Sequence, residues 1–484
     1  MRQTRLAVIE DGELCELYYE RPGMEKLAGN IYLGRVENVL PGMNAAFVDI
    51  GLDKNGFLYA GDIRIDTRSE HGLADQLSRA RIERMIRPGQ EILVQVVKEP
   101  GGSKGPRISS HVTLPGRLMV LMPDVNYIGV SRKISGDAER ARLYEFAHGL
   151  LKGSGMGVIL RTAAEGVDTD TLTAEYQSML KLWEGIRVRA SHAVAPRLIH
   201  SDGSLVLRAV RDRLNEETEG IWADGSRLYD ALRQCAGLLA PEWVDRIHLH
   251  SGATPLFDLY RVDAQADKCS GRHVWLKSGG SLVIEETEAL TVIDVNTGKF
   301  VGKKSLDETI FQTNCEAAME IMRQIRLRDL GGIIIIDFID MDSEARKQEL
   351  LEIMRTQAER DRNHTNIIGL TELGLVEMTR KKKRRPLSKQ LMHICDVCGG
   401  NGIVPSHETT ARRVVRDIWR KRRLGENNPI LAEAAAPVVE WIESIGVPEG
   451  GPVYLLVADD LKEGAYRLSP ADETALPPDT KLLK

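Results

Sequence analysis

Two stretches of this sequence set its architecture, Leu290-Thr291-Val292-Ile293-Asp294-Val295-Asn296 and Ile333-Ile334-Ile335-Ile336-Asp337. Each is an apolar segment of strand length that ends in an aspartate. Apolar residues recur at helical spacing between them, and Gly331-Gly332 is expected to stop that helix. Because a crossover helix returns the chain in the same direction, the pattern predicts two parallel strands. The second strand, with four isoleucines, is expected to be buried on both faces.

This unit predicts two carboxylates, Asp294 and Asp337, at the edge where open α/β sheets bind their ligands. On neighbouring strands they would lie ~4.8 Å apart, where two anions repel unless a cation lies between them. Such oxygen ligands suit Mg²⁺, with Mn²⁺ as an alternative. Asn296 could orient a water or a phosphate. A single aspartate of this kind could equally start a loop or cap a helix, but the pairing favours a metal site.

Residues 29–114 show short strands with glycine punctuation, at about 31–36, 45–51, 56–58 and 91–97, which is typical of an OB-type barrel. A hairpin with an Asp11-Gly12 turn precedes them. Phe47 and Phe57 could either stack on bases or fill the barrel core. Lys104, in a glycine-rich loop, could reach a phosphate.

Two groups of cations could contact phosphates. Arg161 and Thr162 follow the predicted strand 158–160 and precede an amphipathic helix at about 172–183. A guanidinium beside a hydroxyl can clamp a terminal phosphate, although an isolated arginine is more often an ordinary surface residue. The six cations at 380–385 could form a track for a phosphate backbone or a solvated linker.

Cys395 and Cys398 form a CxxC motif followed by glycines. A structural zinc site needs four ligands, so one CxxC supplies half of it. Two chains that each give two thiolates would complete one Zn²⁺ site and form a dimer. A redox CxxC is the competing interpretation, but no thioredoxin-like pattern surrounds the motif.

Composition restricts the class of protein. The chain has 484 residues and a net charge of −5, so any polyanion would bind at local patches rather than over the whole surface. The longest aliphatic run is far shorter than the ~20 residues of a membrane span, and the N-terminus has no signal-peptide core. Six cysteines without a disulfide framework favour a cytoplasmic protein.

Four motifs together resemble the ribonuclease E/G family. They are Asp294-Val295-Asn296, Arg326-Leu327-Arg328-Asp329-Leu330-Gly331-Gly332, Asp337-Phe338-Ile339-Asp340-Met341 and Gly374-Leu375-Val376-Glu377-Met378-Thr379-Arg380. The resemblance covers about residues 6–405, and the lack of a long C-terminal tail is closer to the short, ribonuclease G form.

The resemblance implies a multidomain α/β fold with a β-barrel. An S1 (OB-fold) RNA-binding domain at 29–114 would be inserted in a discontinuous RNase H-like domain at 1–28 and 201–278. The other parts it implies follow in chain order: a 5′-sensor domain at 115–200, a DNase I-like catalytic domain at 279–390, a zinc link at 391–405 and a small C-terminal domain at 406–484.

The resemblance also implies an endoribonuclease that hydrolyses single-stranded RNA with Mg²⁺ and leaves 5′-phosphate and 3′-hydroxyl ends. Asp294 and Asp337 would bind the metal, and Asn296 would position the attacking water. Its substrates would include rRNA precursors and mRNA.

Further residues match binding positions of the family. Phe47, Phe57 and Lys104 would contact RNA, and Arg161 with Thr162 would sense a 5′-monophosphate. His364 stands where the family has a further basic contact, which predicts a weaker grip on that end. Cys395 and Cys398 would share structural Zn²⁺ between two chains, in a homodimer or a tetramer.

Two other classes of function remain open from the residues themselves. One is a non-catalytic RNA-binding scaffold, which would bind RNA without turnover. The other is a metal phosphodiesterase for DNA or a small molecule, in which the barrel and the phosphate clamp would have no clear use.

Overall fold

The computed structural model describes residues 3–22, 26–63, 81–100, 104–298 and 306–483. The chain divides into two compact units, Met1–Gln390 and Leu391–Lys484. The described strands of the first unit are β1 (Thr4–Glu10), β2 (Glu13–Glu20), β3 (Ile31–Leu40), β4 (Ala45–Asp49), β5 (Gly56–Tyr59), β6 (Glu91–Lys98), β7 (Arg107–Ser109), β8 (Leu114–Pro115), β9 (Met119–Met122), β10 (Ile128–Val130), β11 (Gly157–Leu160), β12 (Arg197–His200), β13 (Ile221–Asp224), β14 (Ile247–His250), β15 (His273–Trp275), β16 (Ser281–Glu286), β17 (Leu290–Asn296), β18 (Gly332–Asp337), β19 (Thr365–Leu370) and β20 (Val376–Arg380).

The described α-helices up to the end of this unit are α1 (Ile82–Met85), α2 (Asp137–Leu151), α3 (Thr169–Ser191), α4 (Leu205–Arg213), α5 (Ser226–Leu239), α6 (Leu256–Leu259), α7 (Val262–Lys268), α8 (Leu306–Arg328), α9 (Glu344–Arg360) and α10 (Leu387–Leu391). Short 3-10 turns occur at Pro41–Met43, Ala60–Asp62, Thr162–Ala164 and Pro241–Arg246. No helix among the described residues is long and apolar enough to cross a membrane.

The N-terminal hairpin and the barrel confirm the sequence predictions. β1 pairs antiparallel with β2, and Asp11 and Gly12 both have positive φ, as the predicted turn requires. The barrel strands follow the order β3-β4-β5-β7-β6, and β6 pairs back onto β3 to close a five-stranded barrel. The sequence did not reveal β7, because a three-residue strand is too short to show alternation.

A four-stranded sheet of order β10-β11-β9-β8 follows the barrel and packs with α2 and α3 around one apolar core. The predicted strand 158–160 is β11. The predicted helix 172–183 extends over Thr169–Ser191, and the Asp168 side chain caps it by accepting from the Thr171 amide at 2.8 Å. Between this region and the next sheet, β13 and β14 form a parallel pair beside α4 and α5.

The predicted strand–helix–strand unit that carries Asp294 and Asp337 is part of a six-stranded sheet. The order of its strands is β15-β16-β17-β18-β20-β19. The predicted parallel pair is present: β17 and β18 are neighbours, and the other neighbouring strands are antiparallel. Helices α8 and α9 pack their apolar stripes against one face of this sheet.

The prediction that the isoleucine strand is buried on both faces is wrong. Ile334 and Ile336 are fully buried, whereas Ile333 is 51% exposed. The physical reason is that the helices cover one face of the sheet, so the side chains of β18 alternate between core and surface.

The end of α8 also differs from the prediction. The helix stops at Arg328, and Asp329 rather than Gly331 takes the left-handed conformation, with φ 51°. The Leu330 amide then donates back to the Ile325 carbonyl at 3.0 Å, which is a helix-terminating bond. Aspartate tolerates this conformation better than most residues.

The second unit is a four-stranded sheet with two longer helices on it. Its strands are β21 (Ile430–Ala434), β22 (Val453–Val457), β23 (Tyr466–Pro470) and β24 (Lys481–Leu483), in the order β23-β21-β22-β24. Helices α11 (His407–Arg423) and α12 (Ala436–Ile445) pack their apolar sides into one core with the sheet.

The basic run 380–385 is not a uniform phosphate track. Arg380 is buried, and its guanidinium bonds Asp361 at 2.7 Å and Asp329 at 2.8 Å. Arg384 also bonds Asp329 at 2.8 Å, and its guanidinium lies over the Tyr18 ring. Two of the six cations therefore hold the fold together, while Lys381, Lys382 and Lys383 remain exposed.

We expect Arg380→Met to lower the free energy of unfolding by ~3–5 kcal/mol at pH 7, because it leaves the buried carboxylate of Asp361 without its ion pair. Burial opposes ionisation of Asp361, but the hydrogen bond and charge of Arg380 outweigh it and lower the pKa of that carboxyl. The ion pair therefore stabilises the folded state above about pH 4, and this stabilisation is lost as acid protonates Asp361. Urea unfolding should show the difference from wild type shrinking below that pH, whereas Arg385→Met, an exposed control, should change little. If the loss of unfolding free energy in Arg380→Met did not change with pH, this account would be contradicted.

Candidate functional site

Asp294 and Asp337 lie side by side on the uncovered face of the six-stranded sheet. They are register partners at the ends of β17 and β18, and both side chains are exposed. Adjacent strands are ~4.8 Å apart, so the two carboxylates can share one cation. Asn296 is on the same face and donates from Nδ2 to Asp294 Oδ2 at 2.7 Å. The structure thus brings together the three residues that the sequence suggested for one site.

The donor set fits a hard divalent cation. Mg²⁺ commonly takes one or two protein carboxylates and fills its remaining positions with water. Asp294 and Asp337 supply two carboxylates, and their exposure leaves room for water ligands and a substrate oxygen. Within the described ranges, no group of three or more His, Cys, Asp or Glu side chains could hold a metal ion, so an all-protein cage is not what this arrangement offers.

Asn314, in the middle of α8, positions the loop that follows Asp337. This side chain is fully buried. Its Nδ2 donates to the Ile339 carbonyl at 2.7 Å, and its Oδ1 accepts from the Ile339 amide at 3.1 Å. The sequence did not indicate this role, because an asparagine within a helix shows no sign of which distant backbone it meets.

Glu316, two residues further along α8, holds the turn before β16. Its carboxylate accepts from the backbone amides of Lys277 and Ser278 at 2.6 and 3.2 Å. That turn leads into Ser281, the register partner of Asn296. Helix α8 therefore fixes the backbone on both sides of the carboxylate pair.

Phe47 and Phe57 lie on the barrel surface rather than in its core. They face each other across β4 and β5 with ring centroids 5.6 Å apart, while Ala46, Val48 and Leu58 point inward. Tyr59 extends the patch, with its ring 5.0 Å from that of Phe57. Sequence reasoning missed Tyr59, although its position two residues after Phe57 places it on the same face of β5.

Two cations lie on the segment beside this aromatic patch. Lys104 is exposed, and the preceding loop residues 101–103 lie outside the described residues. Arg107 is the register partner of Phe57. Its guanidinium is 5.6 Å from the Tyr59 ring centre and pairs with Asp62 at 2.8 Å. Arg107 therefore lies on the same side of the barrel as the aromatic rings.

Arg161 is held in place by a carboxylate from another element. Its Nη1 donates to Asp212 Oδ1 at 2.9 Å and to the Gly116 carbonyl. Burial opposes ionisation of Asp212, but hydrogen bonds and charge from Arg211 and Arg161 lower the pKa of its carboxyl. Asp212 is therefore ionised at neutral pH and orients the guanidinium.

Thr162 and the 361–364 loop complete this region. The Thr162 hydroxyl lies 2.9 Å from the Ser131 hydroxyl, at the end of the neighbouring strand β10. Arg362 donates to the backbone carbonyls of Asp212 and Arg213. His364 is exposed two residues further on. Arg161 and Arg362 thus converge on the same residue, a meeting that their separation in sequence does not indicate.

Cys395 and Cys398 form one turn with the following glycines in the second unit. The Gly402 amide donates to Cys398 Sγ at 3.3 Å, and this bond with that of Gly400 lowers the pKa of the Cys398 thiol. Gly399, Gly400 and Gly402 have positive φ, which the tight turn requires. Within the described residues this turn offers two sulfur donors and belongs to no group of three or more possible metal ligands. A tetrahedral structural site needs four ligands.

A model of the ribonuclease E/G family matches residues 113–383, more than half of the chain. The chain belongs to the ribonuclease E/G family. It is 40% identical over 442 residues to ribonuclease G of Escherichia coli (strain K12), covering 91% of this chain and 90% of that protein.

Two further relatives are similar to the same share of this chain. Ribonuclease G of Haemophilus influenzae is 40% identical over 441 residues, with 91% of this chain and 90% of that protein covered. Ribonuclease E of Escherichia coli (strain K12) is 36% identical over 446 residues, which cover 91% of this chain and 41% of that protein. The family resemblance seen in the motifs is confirmed.

We expect Asn314→Ala to loosen the loop after Asp337, because it removes both bonds to the Ile339 backbone. Amide hydrogen exchange at Ile339 should accelerate ~10-fold or more, and unfolding should become easier by ~1–3 kcal/mol. Thr313→Val is the matched control: Thr313 is the adjacent buried residue, and its hydroxyl bonds only within α8. Equal exchange rates at Ile339 in both variants would show that Asn314 does not hold this loop.

Proposed function

We propose that the protein is an endoribonuclease that hydrolyses internal phosphodiester bonds of single-stranded RNA, with rRNA precursors and mRNA in the cytoplasm as substrates. One observation carries the proposal: two exposed carboxylates in register at the ends of neighbouring parallel strands. Membership of the ribonuclease E/G family supports RNA as the polymer.

In this proposal Asp294 and Asp337 bind Mg²⁺ or Mn²⁺ between them. When bound, such an ion lowers the pKa of a water ligand and neutralises charge on a phosphoryl oxygen. The bond from Asn296 Nδ2 to Asp294 fixes the amide, so that its Oδ1 can accept from the attacking water. Water attacks phosphorus, the bond from phosphorus to O3′ breaks, and the products carry a 5′-phosphate and a 3′-hydroxyl.

We further propose that the barrel holds the RNA strand. Phe47 and Phe57 would stack on bases, each contributing ~1–3 kcal/mol, and Tyr59 would extend that platform. Lys104 would contact the phosphate backbone from the adjacent segment. The position of these rings outside the barrel core, with Phe47 and Phe57 half-buried and Tyr59 exposed, supports this assignment.

The 5′-end is proposed to bind at Arg161 and Thr162, so that a 5′-monophosphate stimulates cleavage. Asp212 and Gly116 engage Nη1 of Arg161, and a guanidinium has further donors, on Nε and Nη2, for a phosphate. The Thr162 hydroxyl would add one bond. Arg362, whose guanidinium reaches the Asp212 backbone, adds positive charge that His364 lacks when neutral.

Structural Zn²⁺ is proposed to join two chains through Cys395 and Cys398 of each, in a homodimer that can pair further into a tetramer. Support comes from the turn, whose glycine amides face the Cys398 sulfur. The surrounding side chains Met392, Ile394 and Ile403 are 54, 71 and 81% exposed. An apolar surface around half a metal site suits burial against a second copy.

Asp294→Asn and Asp337→Asn should each lower the cleavage rate of a 5′-monophosphorylated single-stranded RNA in Mg²⁺ by at least ~10²-fold, by weakening the cation site. Asp340→Asn is the control, because Asp340 lies in the loop that follows Asp337 but outside the carboxylate pair. This variant should cleave nearly as wild type. Undiminished cleavage by the first two variants would refute the site. RNA binding without any turnover by wild type would instead indicate a scaffold, and equal cleavage of DNA a general phosphodiesterase.

Arg161→Gln should abolish the advantage of a 5′-monophosphate over a 5′-hydroxyl, since it removes a charge-assisted bond worth ~1.5–3 kcal/mol, or about 10- to 100-fold. Cleavage of the 5′-hydroxyl RNA should be unchanged. The two substrates are compared by kcat/KM, with Arg187→Gln as an exposed arginine control. A preference that survives in Arg161→Gln would place the 5′-end elsewhere.

Cys398→Ser should convert the dimer to monomers and release bound zinc, because the four-thiolate set is broken. Sedimentation velocity and metal analysis measure the two effects. Cys235→Ser, which removes a half-buried thiol of the first unit, is the control. A dimer of unchanged mass without zinc would contradict the proposed link.

A further inference from the structure

The second unit separates its charges between one helix and everything that follows it. Helix α11 carries seven arginines and lysines and two acidic residues. Residues 424–484 carry four basic and eleven acidic residues. The net charges of these two segments are therefore +5 and −7. A protein of net charge −5 concentrates positive charge here, which is the electrostatic pattern of a local polyanion site.

The exposed side of α11 forms a stripe of arginines around one tryptophan. Ala411, Val414 and Ile418 face the core of this unit. From Ala411 onward the exposed side chains of the helix are, in chain order, Arg412, Arg413, Arg416, Trp419, Arg420 and Arg423. Their helical spacing aligns most of them along one side over about 16 Å.

The ion pairs show which charges are available. Arg412 pairs with Glu408 at 2.9 Å, and Arg420 pairs with Asp417 at 3.1 Å. Arg413 and Arg416 make no ion pair with any described residue. Arg422, by contrast, is buried and donates to backbone carbonyls that include Asn428 at 2.9 Å, so it serves the fold.

Trp419 is the second, independent feature of this stripe. Its ring is 46% exposed, and the Arg423 guanidinium lies 4.9 Å from its centre. Arg416 and Arg423 flank it along the helix, so guanidinium groups border the ring on both sides. A ring framed by guanidinium groups suits stacking on a nucleobase.

We propose that this α11 stripe is a second RNA-binding surface, on which Arg413 and Arg416 contact phosphates and Trp419 stacks on a base. The choice of RNA rests on the proposed function. The surface adds affinity for long single strands that extend beyond the segment being cleaved, and it plays no part in the chemical step.

The test compares two double variants of the full-length chain. Arg413→Gln/Arg416→Gln removes two unpaired charges from the stripe. Arg467→Gln/Lys481→Gln removes two charges from the same unit, each paired with a carboxylate, Glu433 at 3.0 Å and Glu443 at 2.7 Å. Fluorescence anisotropy measures the Kd for a 30-nucleotide single-stranded RNA in Mg²⁺-free buffer at several KCl concentrations.

The stripe variant should bind about 10-fold more weakly at 0.1 M salt, and its slope of log K against log salt should fall by about 1.4, at ~0.7 per lost phosphate contact. The paired-charge variant should remain within about 2-fold of wild type. Trp419→Ala should weaken binding by about 5- to 100-fold, and Trp419→Phe should largely preserve it.

Other outcomes overturn the proposal. Equal weakening in both double variants would mean a general effect of net charge. Unchanged RNA affinity with a changed mass in sedimentation would make the stripe an interface between protein chains. The stripe variant should keep kcat on an oligonucleotide of 10 nucleotides. Absence of cleavage by wild type would refute the proposed function, while the binding titration would still decide on the stripe.

Discussion

The parallel pairing of β17 with β18 is the interaction on which the candidate site depends. Its register places Asp294 opposite Asp337 and Ile293 opposite Ile336. A slip of one residue would turn one aspartate towards α8 and α9, into a core where Ile293, Ile334 and Ile336 have no exposed surface. The cost of burying an unpaired carboxylate there is several kcal/mol, so packing on one face of the sheet enforces the meeting of carboxylates on the other.

Local patterns predicted the strand–helix–strand unit, the hairpin and the barrel, because alternation, helical periodicity and turn residues act over a few positions. The patterns could not show which face of a sheet is covered, since that depends on where α9 packs, and the expected two-sided burial of Ile333–Ile336 was therefore wrong. Arg380 looked like one more cation of a basic run, yet it bonds carboxylates 19 and 51 residues away. Asn314 and Asp212 were missed for the same reason.

The arginines of this chain have different roles according to where they lie. Arg380 and Arg384 neutralise buried acids, and Arg161 is oriented by Asp212, whereas Arg413 and Arg416 make no ion pair with a described residue. These three situations have different consequences. The buried ion pairs stabilise the fold, and the bond from Asp212 fixes the orientation of the Arg161 guanidinium. The unpaired arginines leave charge that attracts a polyanion at long range and in a salt-dependent way.

The uncovered face of the six-stranded sheet bears on the shape of the substrate. Asp294, Asn296 and Asp337 are exposed in the described structure, on the face of the sheet opposite α8 and α9. A closed pocket would admit a chain terminus or a small molecule, because a continuous polymer cannot turn into it and out again without bending sharply. An open face lets the middle of a long strand lie across the carboxylates, with both flanks free to continue. An internal bond is therefore as accessible as a terminal one.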